Sequence, residues 1–372
     1  MTRSIRTLIP LLALVAWAVP PPAPAQEQPA DSGFGEEIQV TEVVLDVLVT
    51  DERGNVIVGL DHHDFVVREN GEPVDLTSVS FYSNRRLLGA ETADVAPGEA
   101  AEPASANRYF VLFFHDRRQD LPDIMPRLME AGRSAQAWAR TDLLPNDWVA
   151  VVGYDHKLKL FQDFTTDAEE IAKAIDAVIG GQDPDGKSWP SRAQDPDPAR
   201  PSIAERLPTG KELRQATFDF HKGMTVLGEA LDPILGRKNL LLFSFGFGDL
   251  DSFGQYSPDP RWYPPMMQTL NDANVAVYPV NLFTARTGAF ATGSDLEDAL
   301  SHVAADTGGR YFDLFTTFET PLAQIAEENN GYYLLSYRSR HPAGAQGFQR
   351  VEVDTKNPQF RIRHREGYSF GG

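Results

Sequence analysis

The 372-residue chain predicts an α/β protein: a doubly wound, mainly parallel sheet with helices on both faces, plus a small antiparallel β unit drawn from its N- and C-terminal stretches. Three observations carry that expectation. Apolar residues alternate at period two over Glu37–Ser83 and again over Tyr332–Arg365, the pattern of half-buried strands. From Tyr109 to Phe315, continuous apolar runs alternate with helical patterns, which implies strands covered on both faces and joined by helical crossovers. Neither β stretch has enough strands to close a core alone, so the two are expected to pack together.

The elements follow in order. Residues 1–25 read as a secretory signal: basic Arg3 and Arg6, the apolar stretch Leu8–Val19, then Pro20–Pro22 and a small-residue cleavage site at Ala23-Pro-Ala25. The apolar run is too short to span a membrane, and no later segment is long and apolar enough. The mature chain is therefore expected outside the cytoplasm, secreted or periplasmic, with no membrane span. Residues 26–36 form a polar leader. The N-terminal β unit, 37–83, sets Val40, Val43, Leu45, Val47 and Val49 on one strand, followed by the turn Asp51-Glu-Arg-Gly54. Phe65-Val-Val-Arg68 and the run from Val74 to Phe81 flank Asn70-Gly71, a hairpin signal because both residues tolerate positive φ. Residues 84–107 read as a linker.

The α/β unit occupies 108–320, with buried strands expected at Tyr109–Phe114, Trp148–Tyr154, Leu240–Phe245, Val275–Val280 and Arg310–Phe312. Thr166-Asp-Ala-Glu169 and Ser294-Asp-Leu-Glu297 are capping-box patterns. The first opens a helix with Ile171, Ile175 and Val178 on one face. The second opens one with Leu296, Ala299, Leu300 and Val303, stopped by Gly308-Gly309. Residues 180–210, with repeated Asp-Pro and Gly, read as a surface insertion. The remainder, 321–372, holds a helix at about 320–329 and a three-strand meander at Tyr332–Tyr337, Phe348–Val353 and Phe360–Arg365.

Composition narrows the function. Lys and Arg number 34 against 53 Asp and Glu, a net charge of −19 spread along the chain, which disfavours nucleic acid and anionic membrane as partners. Cysteine is absent, which excludes disulfides, thiolate metal sites and Cys nucleophiles.

Strand Tyr109–Phe114, Gly223-Met-Thr-Val-Leu227 at a helix start, Asn239–Ser244 with Gly246, and Asn274-Val-Ala-Val-Tyr-Pro-Val280 stand in a telling order. In that order the chain resembles a von Willebrand factor type A domain. Outside that stretch, Gly54, Gly59-Leu60, Asp64-Phe65, Glu69-Asn-Gly71, Ala305-Asp-Thr-Gly-Gly-Arg-Tyr311, Tyr332-Tyr-Leu-Leu335 and Arg365-Glu-Gly-Tyr368 resemble the von Willebrand A-related proteins of acidobacteria. The resemblance implies a metal-ion-dependent adhesion site, in which Asp-x-Ser-x-Ser, a Thr and a further Asp hold Mg²⁺ and leave one position for a partner's carboxylate. This chain departs from that pattern. His115 stands at the Asp position with Arg117 and Gln119 at the Ser positions; shifted by one, these become Asp116, Arg118 and Asp120. Thr225 matches the Thr, but Phe245 stands where the last Asp belongs. Arg has no lone pair to offer a cation, so no Mg²⁺, other metal or cofactor is expected.

Open α/β sheets place ligands at the carboxyl ends of their strands. The expected role is a non-enzymatic binding module, meeting a protein or other extracytoplasmic macromolecule through His115, Asp116, Arg117, Arg118, Gln119, Asp120, Thr225 and Asp249. The blander expectation for the same residues is a helix-start role for Thr225, with Asp116, Asp120, Arg117 and Arg118 as an exposed, self-paired cluster. No catalytic motif competes. Ser244 lacks the Gly-x-Ser-x-Gly setting, Gly246-Phe-Gly248 is followed by Asp249 where a phosphate would sit, and Asp183–Asp197 lacks calcium-loop spacing. His62-His63 lies in an acidic turn, and His156, His221, His302 and His364 have no partner at ligand spacing. The alternatives are an exported hydrolase or metalloenzyme using His115, Asp116, Ser244 and Asp249, or a structural scaffold of the envelope.

Overall fold

A computed structural model describes residues 38–83, 107–118, 124–184, 200–282, 296–342 and 345–371. The signal, the leader, most of the linker, the Ser294 cap, Gln119 and Asp120 lie outside them.

The chain begins with β1 (Ile38–Thr50), β2 (Phe65–Glu69), β3 (Glu72–Val74) and β4 (Leu76–Ser83). Asn70 (φ 50°) and Gly71 (φ 83°) make the β2–β3 hairpin turn in the left-handed conformation their sequence favours. The α/β unit follows: β5 (Arg108–His115), α1 (Met125–Thr141), β6 (Asp147–Tyr154), β7 (Leu158–Thr165), α2 (Ala168–Ile179), α3 (Gly210–Ala216), α4 (Phe220–Leu231), β8 (Lys238–Ser244), α5 (Tyr263–Asp272), β9 (Val275–Asn281), α6 (Glu297–Asp306) and α7 (Glu319–Glu328). The last strands are β10 (Gly331–Pro342), β11 (Gly347–Thr355), β12 (Arg361–Arg363) and β13 (Gly367–Phe370). Among the described residues no helix is long and apolar enough to cross a membrane.

The doubly wound sheet predicted from the sequence is present, in the order β7-β6-β5-β8-β9, parallel except for β7. Period-two alternation divides its strands between two cores. Phe110, Leu112, Phe114, Leu241 and Phe243 pack under α1, α2 and α7, while Val111, Phe113, Leu240 and Leu242 pack under α4, α5 and α6. Arg310–Phe312 is not a sixth strand. Only Phe312 reaches the sheet, through a bridge to Val280, while the Arg310 side chain pairs with Glu328 at 2.6 Å. β7 escaped the sequence reading: its pairing with β6 slips register between Val149 and Val152, and that irregularity spoils the alternation.

Two local expectations shift. The cap of α2 is Asp167, which accepts from the Glu169 and Glu170 amides at 2.8 and 3.3 Å, not Thr166. Part of the predicted surface insertion is interior: Ile203 and Leu207 join the core, anchored by Asp163, which accepts from Ser202 Oγ (2.6 Å) and Ile203 N (2.8 Å).

The antiparallel unit is a sandwich of two sheets, β12-β1-β10-β4 and β13-β11-β2-β3. Each mixes strands from both ends of the chain. β1 pairs with β10 over Ile38–Val47, β10 with β4, and β11 with β2, burying Leu45, Val47, Phe65, Tyr333, Leu335 and Val353 together. The predicted meander is overturned. β10 and β11 enter different sheets because each finds its partner among the N-terminal strands. Val40 shares the outward face of β1 with Val44, opposite Val43 and Leu45, as period two requires.

The sandwich is bolted to the α/β unit by polar contacts. Asn274 donates to Asp46, Arg365 donates to Asn271 O (3.1 Å) and Val44 O (2.9 Å), and Gln268 donates to Ser369 Oγ (2.7 Å). Buried Glu328 accepts from Arg310 and lies 2.7 Å from Arg363 of β12.

Candidate functional site

The carboxyl edge of the sheet is where β5, β6 and β8 end, and pairing decides what meets there. Phe114 lies beside Phe243, so the next residues, His115 and Ser244, become neighbours, with Nδ1 and Oγ 2.9 Å apart. Both are interior. His115 is enclosed by the rings of Tyr154, Phe220 and Phe245, and Ser244 Oγ also accepts from Gly246 N at 3.1 Å. His115 is thus a packed side chain and presents nothing to a partner.

The other predicted residues divide between the two faces of the sheet. Asp116 and Arg118 form a part-buried ion pair at 2.6 Å, not an exposed cluster. Arg118 also donates to Val178 O and Ile179 O, both at 3.0 Å, and so closes the C-terminal end of α2. Arg117 lies over the Phe245 ring, 5.3 Å from its centroid. Thr225 sits within α4, not at its start, and its hydroxyl donates to His221 O at 2.9 Å. The matching Thr of the resemblance is therefore spent inside a helix, and the helix-start role passes to Asp219. Asp249 is exposed on the opposite face of the sheet from Arg118, at the mouth of a cleft. His62 and His63 are exposed in a turn, with ring centroids 3.8 Å apart; a strand would have pointed them opposite ways.

That cleft, about 160 Å³, lies between the start of α4 and the loop from β8 to α5, and sequence reasoning missed it. Asp219 caps α4, accepting from the His221 amide at 2.9 Å, and its carboxylate also meets His221 Nδ1 at 3.2 Å. This imidazole contact, ahead of the amide contacts, holds the Asp219 carboxyl below the usual range. His221 is only 5% exposed, and its Nε2 has no hydrogen-bond partner; nor has the Tyr256 hydroxyl on the facing wall. A buried polar atom left unpaired costs about 1–3 kcal/mol. Burial pushes the Tyr256 hydroxyl up, so it keeps its proton. Gly248 (φ 87°) separates the two rings: a β-carbon there would come within 2.9 Å of Tyr256 and 3.8 Å of His221. Arg261 pairs with Asp259 at 2.6 Å and holds that carboxyl down to about 2.

Exposed apolar side chains lie near the cleft. A bridge between Leu250 and Tyr256 makes a small hairpin, with Phe253 at its tip, 88% exposed. Phe218 and Trp262 are exposed beside it, with the Lys222 ammonium 4.4 and 4.3 Å from their ring centroids. The sequence does carry a signal for this site: Asp219 two residues before His221 at a helix start, and exposed aromatics in a loop of Asp, Gly and Pro. Among the described residues, no three His, Asp or Glu side chains stand close enough together to hold a metal ion.

No family model and no curated protein matches the chain. Among solved structures it is similar to a von Willebrand factor type A protein from Catenulispora acidiphila, at 10% identity over 87% of this chain and 71% of that one, with a TM-score of 0.37. It is also similar to the von Willebrand factor domain of the type V pili tip protein from Porphyromonas gingivalis, at 13% identity over 61% of this chain and 96% of that one, TM-score 0.35. A third is an aerotolerance-related membrane protein from Bacteroides fragilis, at 12% identity over 60% of this chain and 98% of that one, TM-score 0.36.

Proposed function

We propose that this chain is a non-enzymatic binding module, a von Willebrand A-like unit of the acidobacterial type. It acts outside the cytoplasm, and the carboxyl edge of its sheet docks a protein partner. One observation carries the reading: exposed Trp262 lines an acidic cleft, exposed Phe218 shares the Lys222 ammonium with it, and exposed Leu250 and Phe253 lie on the hairpin that brings Tyr256 to the same cleft. Contiguous exposed apolar groups round a polar centre are characteristic of interaction surfaces, where aromatic side chains supply most of the affinity. The alternative of a hydrolase draws on the His115–Ser244 pair, but Ser244 has no exposed surface from which to attack a substrate.

The test is capture of partners by the purified, immobilised protein from envelope and culture-medium fractions of its own producing cells, beside a Leu250→Ser, Phe253→Ser variant. Both positions are exposed, so the variant is expected to melt as the parent does and to lose the captured species. Equal capture by the two proteins would overturn the reading.

A further inference from the structure

We infer that the cleft is a seat for one basic side chain, a lysine or arginine of the partner; the inference rests on the binding-module reading above and names what that partner must present. The charge balance points this way. Asp219, Asp249, Asp251 and Asp259 stand round the cleft or on its hairpin, against Lys222 and Arg261. Asp251 spends one oxygen on the Phe253 and Gln255 amides, and Asp259 is paired with Arg261, whereas Asp249 stands exposed at the mouth.

The unpaired atoms specify the chemistry further. Asp219 accepts at His221 Nδ1, which sets the tautomer of the uncharged ring: the proton sits on that nitrogen and Nε2 is a lone-pair acceptor. An acceptor in an acidic cleft is satisfied by a cationic N–H donor and repelled by a carboxylate. The Tyr256 hydroxyl, also unpaired, can accept a second N–H from the same group. Both atoms are shielded from solvent, and the Tyr256 ring packs closely on the bare Gly248, so the seat opens when the half-buried Tyr256 side chain swings aside. At about 160 Å³ the cleft admits one ammonium or guanidinium terminus, and the apolar border receives the residues on either side of it. This polarity is the reverse of the metal-held carboxylate that the family resemblance implies for this edge.

Three blocked pentapeptides, Gly-Leu-Lys-Leu-Gly and its counterparts with Glu or norleucine at the centre, are titrated against the full-length protein carrying ¹⁵N-labelled histidine, with His221 signals assigned by His221→Gln. The lysine peptide is expected to shift the His221 ring resonances saturably, and the glutamate and norleucine peptides to leave them in place. Asp249→Asn, a change at an exposed position, is expected to weaken the response about fivefold, the loss of one charge pair. A glutamate or norleucine peptide as effective as lysine, or a His221 signal unmoved by the lysine peptide, overturns the inference. Border-dependent capture together with an unmoved His221 sinks this inference alone; loss of border dependence sinks the binding-module reading instead.

Discussion

Tyr333 tests whether the two ends of the chain share one core. Its ring has no solvent exposure and meets Phe65 and Phe81 from the N-terminal stretch at 5.3 and 4.8 Å. Its hydroxyl accepts from Leu60 N and donates to Ile57 O, both at 3.1 Å, so a C-terminal side chain pins an N-terminal loop. Tyr333→Phe leaves that amide and carbonyl without their partner, at a cost of about 1–2 kcal/mol in all. Tyr333→Ala adds the cavity of a lost aromatic ring, about 3–5 kcal/mol. At about 2–4 °C per kcal/mol for a unit of this size, the alanine variant melts about 15 °C lower and the phenylalanine variant about 4 °C lower. Scanning calorimetry gives the shift, and limited proteolysis between Asp51 and Asp64 reports where the structure loosens. An alanine variant whose N-terminal strands resist protease as the parent's do would show that the two ends are independent, and the shared-core argument would be wrong.

Lys238 supplies a pH test. It is 2% exposed, its ammonium donates to Ile234 O at 2.6 Å, and burial pushes its pKa down to about 8. Between pH 8 and the unfolded value near 10.5 the unfolded chain binds more protons than the folded one, so this group makes stability rise with pH across that window. Lys238→Met is expected to melt higher at pH 7 and to flatten the rise, as read by melts from pH 7 to 10; an unchanged slope refutes the assignment. Melting is also expected to stand still in millimolar Mg²⁺ or Mn²⁺, since Asp116 is tied to Arg118 and Thr225 to its own helix. An upward shift abolished by Thr225→Ala would contradict this.

The sheet was legible because its signals are local. The runs at Tyr109–Phe114 and Leu240–Phe245 are buried on both faces, and continuous apolar sequence says so directly. The hairpin at Asn70-Gly71 was legible for the same reason, since two residues determine it. What failed depends on residues far apart in the chain. Nothing within Tyr332–Arg365 reveals that β10 and β11 part company, because their partners lie some 290 residues earlier. The candidate site was half legible. Asp249 was found through its place after a strand. Its companions His221, Gly248 and Tyr256 were not, because their meeting requires the loop from β8 to fold back over the start of α4. His115 and Asp116 were assigned to a surface from their position on the edge, but pairing of β5 with β8 and capping of α2 had already claimed them.

The divided sandwich constrains the order in which this chain can fold. Gly331 registers against Ser83, so the whole α/β unit is carried as a loop between neighbouring strands. Closing so long a flexible loop is slow and entropically costly. A folded α/β unit shortens it, because α7 ends at Glu328 and β10 begins three residues later, held by the Arg310–Glu328 contact. During synthesis from the N-terminus, β1 and β4 are made early and wait for β10 with their backbone hydrogen-bonding groups unmatched. Such waiting strands are where self-association begins. A chain truncated before β10 is therefore expected to self-associate more readily than the finished protein, in which the same strands are paired.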